Sequence, residues 1–141
     1  MPEPGARITF RKTLTSAEQA FFTGISGNLG PLYVDAARAR AEGAPGMVAF
    51  ELILGALAST CLARLGGPSR RIGAMNLRFL GAVPVGGTVE AGAEIVAAEG
   101  ETLHLRLTGL LDGTGPVMEG EATLVPVRDV ASRSACLHPG S

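Results

Sequence analysis

The stretch GMVAFELILGALASTCLARL, Gly46–Leu65, decides the fold of this chain. It is apolar nearly all round, and Glu51 is its one charged residue before the last turn. A helix of that character is buried on most of its sides. The sequence Gly66-Gly67-Pro68 follows and predicts a sharp end. The stretch is therefore predicted to form one long helix at the centre of the molecule.

After this helix the sequence changes to the two-residue periodicity of β-strands. Leu103, Leu105 and Leu107 alternate with polar residues, and Asp112-Gly113 is a hairpin signal. Four strands in a meander are predicted, at Ile72–Val83, Thr88–Ala97, Thr102–Leu111 and Val117–Val125.

The segment before the helix supplies one strand and two short helices. Alternation over residues 8–12 predicts a first strand. The capping-box pattern Thr15–Glu18 opens a short helix with Phe21 and Phe22 on its apolar side, and Val34–Glu42 predicts a second. A sheet that wraps a central apolar helix satisfies this order of elements. The prediction is an α+β fold in which an antiparallel sheet surrounds a long central helix.

Length and composition indicate one domain. The 141 residues suffice for one core, and we assign residues 1–126 to the domain and 127–141 to a loose tail. A net charge of −1 and the lack of basic–aromatic alternation disfavour nucleic acid as a partner. The start lacks the pattern of a secretory signal, and Gly46–Leu65 suits a buried helix better than a membrane span. Cys61 and Cys136 show neither zinc spacing nor a disulfide framework, so no metal and a cytoplasmic location are expected.

Two separated motifs resemble those of one protein family. SGNLGPLYVD, Ser26–Asp35, is similar to the S-G-D-x-N-P-L-H-x-D motif of MaoC-like (R)-specific enoyl-CoA hydratases and dehydratases. RFLGAVPVGGTV, Arg78–Val89, resembles that family's strand K-F-L-x-P-V-x-x-G-D-T-V. The resemblance implies a hot-dog fold and a dimer, either of two identical chains or with another hot-dog chain. It further implies that an acyl thioester of coenzyme A or of an acyl carrier protein is the substrate, with no cofactor, in fatty acid metabolism.

The catalytic positions of the motif are changed in this chain. The motif's Asp falls on Asn28, which cannot ionise, and its His falls on Tyr33, whose ordinary pKa is near 10. The family's His-Gly at the start of the central helix falls on Phe50 and Glu51. The backbone N–H of Glu51 remains available there for a thioester oxygen, because a helix N-terminus offers unpaired donors.

Glu51 is a second candidate for the chemistry. PGMVAFE, Pro45–Glu51, is similar to the P-G-V-L-x-x-E segment of FabZ-like dehydratases, whose helix Glu is catalytic. The alternative is a structural carboxylate bonded to neighbouring donors. Gly55 lies one turn beyond it, and small residues there either leave room for an acyl chain or let the helix sit close to the sheet.

Three functions follow as hypotheses. The first is an enoyl-thioester hydratase or 3-hydroxyacyl-thioester dehydratase, a lyase, with an atypical active site. The second is a non-catalytic acyl-thioester-binding subunit of a MaoC-type heterodimer, and the third is a hot-dog thioesterase that uses Glu51. The predicted catalytic residues are Asn28, Tyr33 and Glu51, and the predicted substrate-binding residues are Pro31, Ala49, Phe50 and Gly55. No residue specifies the acyl chain length, the carrier or the pathway.

Overall fold

The computed structural model describes residues 2–129. Its elements are, in chain order, β1 (Arg7–Thr13), α1 (Ser16–Ser26), α2 (Pro31–Val34), α3 (Ala36–Ala41), α4 (Glu51–Gly66), β2 (Arg70–Phe79), β3 (Thr88–Glu99), β4 (Thr102–Leu111), β5 (Gly115–Pro126) and a 3-10 turn (Val127–Asp129). The rest of the predicted tail, with Cys136, lies outside the described residues. No helix within residues 2–129 is both long enough and apolar enough to cross a membrane.

The five strands form one antiparallel sheet in the order β1-β3-β4-β5-β2, and α4 packs on its inner face. This confirms the predicted α+β architecture of a hot-dog domain. The meander prediction holds for β3, β4 and β5 but is wrong for β2, which pairs with β5 at the far edge. The chain between β2 and β3 is rich in glycine and proline, and it crosses from one edge region of the sheet to the other.

The core lies between α4 and the inward side chains of β3 and β4. Leu54 and Leu62 of α4 are buried, and so are Leu103, Leu105 and Leu107 on alternate positions of β4. Burying each such leucine stabilises the fold by about 1.5–3 kcal/mol. The two-residue alternation in the sequence therefore identified the inner face of the sheet correctly.

The central helix begins at Glu51, five residues later than predicted. Val48 forms an isolated antiparallel bridge with Pro84, and the Ala49 N–H donates to the Val83 carbonyl at 2.7 Å. Strand-like pairing thus occupies the backbone up to Ala49, and the helix cannot start before it ends. As a consequence, Glu51 occupies the first helical position rather than an interior one.

The predicted helix Val34–Glu42 is interrupted at Asp35. The backbone of Asp35 is extended, with φ −130° and ψ 102°, and its Oδ1 accepts a hydrogen bond from the Arg38 N–H at 3.1 Å. Asp35 therefore caps α3, while Pro31 begins the separate helix α2, because its missing N–H costs nothing at a first helical position.

The capping box of α1 is present as predicted, but the assignment of Phe21 is wrong. Thr15 and Glu18 exchange the expected hydrogen bonds, and Phe22 packs against the core. Phe21 is 74% exposed. Adjacent helical residues point about 100° apart, so only one of the two phenylalanines faces the core.

Leu77 of β2 lies between two glycines. A Cβ atom placed on Gly55 of α4 would lie 3.0 Å from its Cδ1, and one on Gly120 of β5 would lie 3.0 Å from its Cδ2. Any side chain at Gly120 would also overlap the carbonyl oxygen of Asn76. The two glycines thus provide the space that Leu77 occupies between helix and sheet.

Candidate active site

Tyr33 and Glu51 form a hydrogen-bonded pair where α2 meets the start of α4. The Tyr33 hydroxyl donates to Glu51 Oε1 at 2.7 Å, and both side chains are partly buried. The bond to Glu51, then burial, then the negative charge of Glu51 raise the pKa of Tyr33 above its ordinary value of 10.0. Tyr33 is therefore a neutral donor at physiological pH. Within the described part of the chain, Glu51 Oε2 and the Glu51 N–H have no hydrogen-bond partner.

Aromatic stacking fixes the Tyr33 ring. The ring lies on Phe50, with centroids 4.4 Å apart and an interplanar angle of 18°. Phe50 in turn contacts Phe22 of α1 at a centroid distance of 4.7 Å. Phe50 is buried and directly precedes Glu51, so the stack joins α1, α2 and the start of α4.

Sequence reasoning missed Gln19. Among residues 2–129, it is the one polar or charged residue whose side chain is buried. Its Nε2 donates to the carbonyls of Tyr33 at 2.9 Å and of Val48 at 2.8 Å, and its Oε1 accepts from the Phe50 N–H at 3.3 Å. A signal was available, since Gln19 lies three residues before Phe22 and so shares its core-facing side of α1.

Asn28 does not join the pair. Its Oδ1 accepts a hydrogen bond from the Gly30 N–H at 2.8 Å, which closes a local turn at the surface. A Cβ on Gly30 would lie 3.1 Å from that oxygen and 3.3 Å from Cδ2 of Tyr33, so Gly30 lies close to both side chains. Of the three predicted catalytic residues, the structure brings Tyr33 and Glu51 together and leaves Asn28 beside them.

The predicted substrate-binding residues have different environments. Pro31 is exposed at the start of α2. Ala49 and Phe50 are buried, with their N–H groups engaged by Val83 and Gln19. Gly55 is buried against Leu77, the contact expected if small residues let the helix approach the sheet. The acyl channel along Gly55 stays a prediction.

Two clefts flank the pair. One has a volume of about 410 Å³ and is lined by Glu51, Leu32, Val48 and Pro84 among others. The other, of about 310 Å³, is lined by Tyr33, Gln19, Val34 and others. Met47 lines both clefts.

The chemistry available at this site is proton transfer. A carboxylate with one oxygen held by a phenol has its second oxygen free to take or give a proton. The adjacent helix N-terminus favours developing negative charge. Among residues 2–129, no three His, Cys, Asp or Glu side chains cluster closely enough to hold a metal ion.

Comparison with known proteins places the chain in a family. The profile of the MaoC like domain matches residues 2–106. No curated protein sequence matches significantly. The (R)-hydratase from A. caviae involved in PHA biosynthesis superposes with a TM-score of 0.82 at 26% identity, covering 86% of this chain and 95% of that one.

Two further similar structures are assemblies from Mycobacterium tuberculosis. The ChsH1-ChsH2 complex gives a TM-score of 0.81 at 17% identity, over 89% of this chain and 99% of that one. The C-terminally truncated HadBC (3R-hydroxyacyl-ACP dehydratase) complex gives 0.74 at 17% identity, over 86% and 96%. These two matches show the shared fold. With the profile covering most of the chain, this protein belongs to the MaoC-like family of hot-dog hydratases and dehydratases.

Proposed function

We propose that this protein is an enoyl-thioester hydratase or 3-hydroxyacyl-thioester dehydratase in which Glu51 carries the proton and Tyr33 positions it. The observation that carries the proposal is the 2.7 Å hydrogen bond from Tyr33 to Glu51 at the first turn of α4. The substrate is an acyl thioester of coenzyme A or of an acyl carrier protein. The A. caviae hydratase and the HadBC dehydratase, which share the fold, support this reaction class.

The reaction divides between the side chain and the backbone of Glu51. In the hydration direction, the Glu51 carboxylate removes a proton from water while the water oxygen bonds to C3 of the enoyl group. The electron pair of the C2–C3 double bond moves toward the thioester oxygen, which the Glu51 N–H and the helix dipole stabilise. The protonated Glu51 then delivers the same proton to C2, and the thioester carbonyl re-forms. Atoms and charge therefore balance with one carboxyl group.

Tyr33 acts on Glu51 and not on water in this scheme. With its pKa raised, Tyr33 stays protonated and is a poor base, but it holds Glu51 Oε1 and leaves Oε2 for the chemistry beside the cleft of about 410 Å³ that Glu51 lines. The expected Asp and His are thereby replaced by a carboxylate that belongs to the helix. Asn28 has no role in this scheme, because its Oδ1 accepts a hydrogen bond from the Gly30 N–H.

The test is hydration of short and medium trans-2-enoyl-CoA, followed by loss of enoyl absorbance, with release of free thiol measured in parallel. Glu51→Gln should lower kcat by about 10²–10⁴-fold, the usual effect of losing a positioned acid or base. Glu94→Gln is the matched control, since Glu94 lies on β3 beside Arg106 and should leave turnover unchanged. Hydration that survives Glu51→Gln would refute the mechanism. Thiol release that depends on Glu51 would instead indicate a thioesterase.

One observation favours the silent-subunit alternative. Among residues 2–129, strand β2 forms an unpaired edge of the sheet, and two apolar side chains on or directly after it are exposed: Ile72 by 40% and Leu80 by 50%. An unpaired edge with apolar neighbours suits a second hot-dog chain, and two fold relatives were solved as two-component complexes. An inactive purified chain that gains hydration when mixed with a co-purifying hot-dog protein would support this alternative. If the purified chain is inactive, the double substitution Asn28→Asp with Tyr33→His offers a second test. Hydratase activity that appears in this variant without a partner would show that the water site is intact.

A further inference from the structure

One side chain connects the two halves of the candidate active site. Gln19 of α1 is 5% exposed, and its amide makes three hydrogen bonds to backbone groups. The bond to the Tyr33 carbonyl holds the residue that carries the phenol. The bonds to the Val48 carbonyl and the Phe50 N–H hold the segment that leads directly into Glu51. Because an amide group is planar and rigid, these bonds fix the two segments relative to each other.

Neither helix that carries a member of the pair has a side-chain cap of its own. The N-cap of α2 is Gly30 and that of α4 is Phe50, and no side chain of either residue caps its helix. The first N–H groups of a helix need partners from outside the helix. Gln19 provides one of these from α1, by accepting from the N–H of Phe50 at the point where α4 begins.

The element that carries Gln19 is itself well anchored. The capping box of α1 immediately precedes Gln19, with the Thr15 N–H donating to Glu18 Oε2 at 2.8 Å. One turn further along, Phe22 contacts Phe50, so α1 reaches the site at two successive points on one side. A buried amide whose two donor hydrogens and oxygen are all hydrogen-bonded holds its partners in a single arrangement, because any displacement leaves a buried group unpaired.

We propose that Gln19 is a positioning residue that sets the geometry of the Tyr33–Glu51 pair from α1. All three of its amide hydrogen bonds go to backbone groups, so it acts through the pair and not on the reacting atoms. The inference rests on the proposed function for its effect on catalysis, but its effect on the pair is independent of turnover. Replacing Gln19 with methionine, which has a similar length and no amide, leaves three backbone groups without their partner and frees Tyr33 to move away from Glu51.

Tyr33 provides the readout. It is the one tyrosine of the chain, and there is no tryptophan, so tyrosinate absorbance in an alkaline titration reports Tyr33 alone. In folded Gln19→Met we expect the pKa of Tyr33 to fall toward its ordinary value. We also expect kcat for enoyl-CoA hydration to fall by about 10–10²-fold, as for a small misplacement of a catalytic group, with KM changed much less. Ile95→Ala is the control for lost stability alone, because Ile95 is a core residue on β3.

The outcomes separate the two proposals. A lowered Tyr33 pKa in Gln19→Met but not in Ile95→Ala supports the positioning role, even if the wild-type protein shows no hydration and the proposed function fails. An unchanged Tyr33 pKa in folded Gln19→Met, or an equal fall in Ile95→Ala, overturns it. If Gln19→Met does not fold, hydrogen exchange of the Gln19 side-chain amide in the wild-type protein decides. Slow exchange supports the role, and exchange as fast as in free glutamine overturns it.

Discussion

Replacing Tyr33 with phenylalanine removes one oxygen atom from the site and leaves the aromatic ring. The stack on Phe50, with centroids 4.4 Å apart, is retained in this variant, so the change isolates the hydrogen bond to Glu51. A hydrogen bond to a charged group contributes about 1.5–3 kcal/mol to folding. Both side chains are partly exposed, so water replaces part of the lost bond, and we expect the lower end of that range.

The expected loss of about 1.5 kcal/mol corresponds to a fall in Tm of about 5 °C for a chain of this size. It is measured by denaturant unfolding at neutral pH and fixed protein concentration, because association would shift the apparent stability. A double-mutant cycle with Glu51→Met, which removes the acceptor and keeps the side-chain length, assigns the loss to the pair. In that background Tyr33→Phe should cost little.

The reasoning is refuted if Tyr33→Phe costs the same with and without Glu51. A coupling energy below about 0.5 kcal/mol is within the scatter of independent sites. Such a low value would mean that the Tyr33 hydroxyl does not donate a hydrogen bond to Glu51 in solution. Tyr33 would then not position Glu51 in the mechanism.

Three further predictions concern titrating groups. The raised pKa of Tyr33 means that the folded state holds the phenol proton more tightly than the unfolded state does. The contribution of Tyr33 to the free energy of unfolding is therefore full below about pH 10 and is lost as the pH rises above it. Tyr33→Phe should lack this alkaline dependence when unfolding is measured against pH. Hydrogen bonds from the Thr15 side chain and backbone hold the pKa of Glu18 at about 2, against an ordinary 4.5. The contribution of Glu18 to the free energy of unfolding is therefore full above pH 4.5 and is lost as the pH falls toward 2. Acid unfolding of Glu18→Gln should lack that part of the pH dependence. Burial raises the pKa of the Cys61 thiol, which donates to the Ala91 carbonyl, so a Cys136→Ser variant should resist thiol alkylation until it unfolds, and rapid labelling of the native protein would contradict this.

Local sequence patterns correctly predicted those helices and strands that depend on neighbouring residues. The alternation of leucines in β4 and the capping box of α1 gave the correct element type, because each depends on residues close in sequence. The start of α4 was wrong because it depends on a distant partner. Met47–Ala49 has the apolar character of the helix but pairs with the segment around Pro84, more than thirty residues away. The position of β2 beside β5 has the same cause, since no local pattern specifies which edge a strand joins.

The candidate site was half predicted. Tyr33 and Glu51 came from motif positions, and the structure joins them although they are far apart in the sequence. Their hydrogen bond could not be foreseen, because the MaoC-like motif has His at the position of Tyr33 and uses only the backbone N–H at the position of Glu51. Gln19 was missed because a lone glutamine in a short helix is usually on the solvated side, and its burial follows from carbonyls that two other segments direct toward it.

The packing of Leu77 between Gly55 and Gly120 has a consequence for how sequences of this kind can diverge. A larger residue at position 55 needs a smaller one at position 77, because both fill the same gap between helix and sheet. Position 120 lacks that freedom, since any side chain there meets the backbone of Asn76. In homologous chains, a larger side chain at position 55 should therefore accompany a smaller one at position 77, while position 120 stays glycine. A library that randomises all three positions should yield folded members mainly with these size combinations.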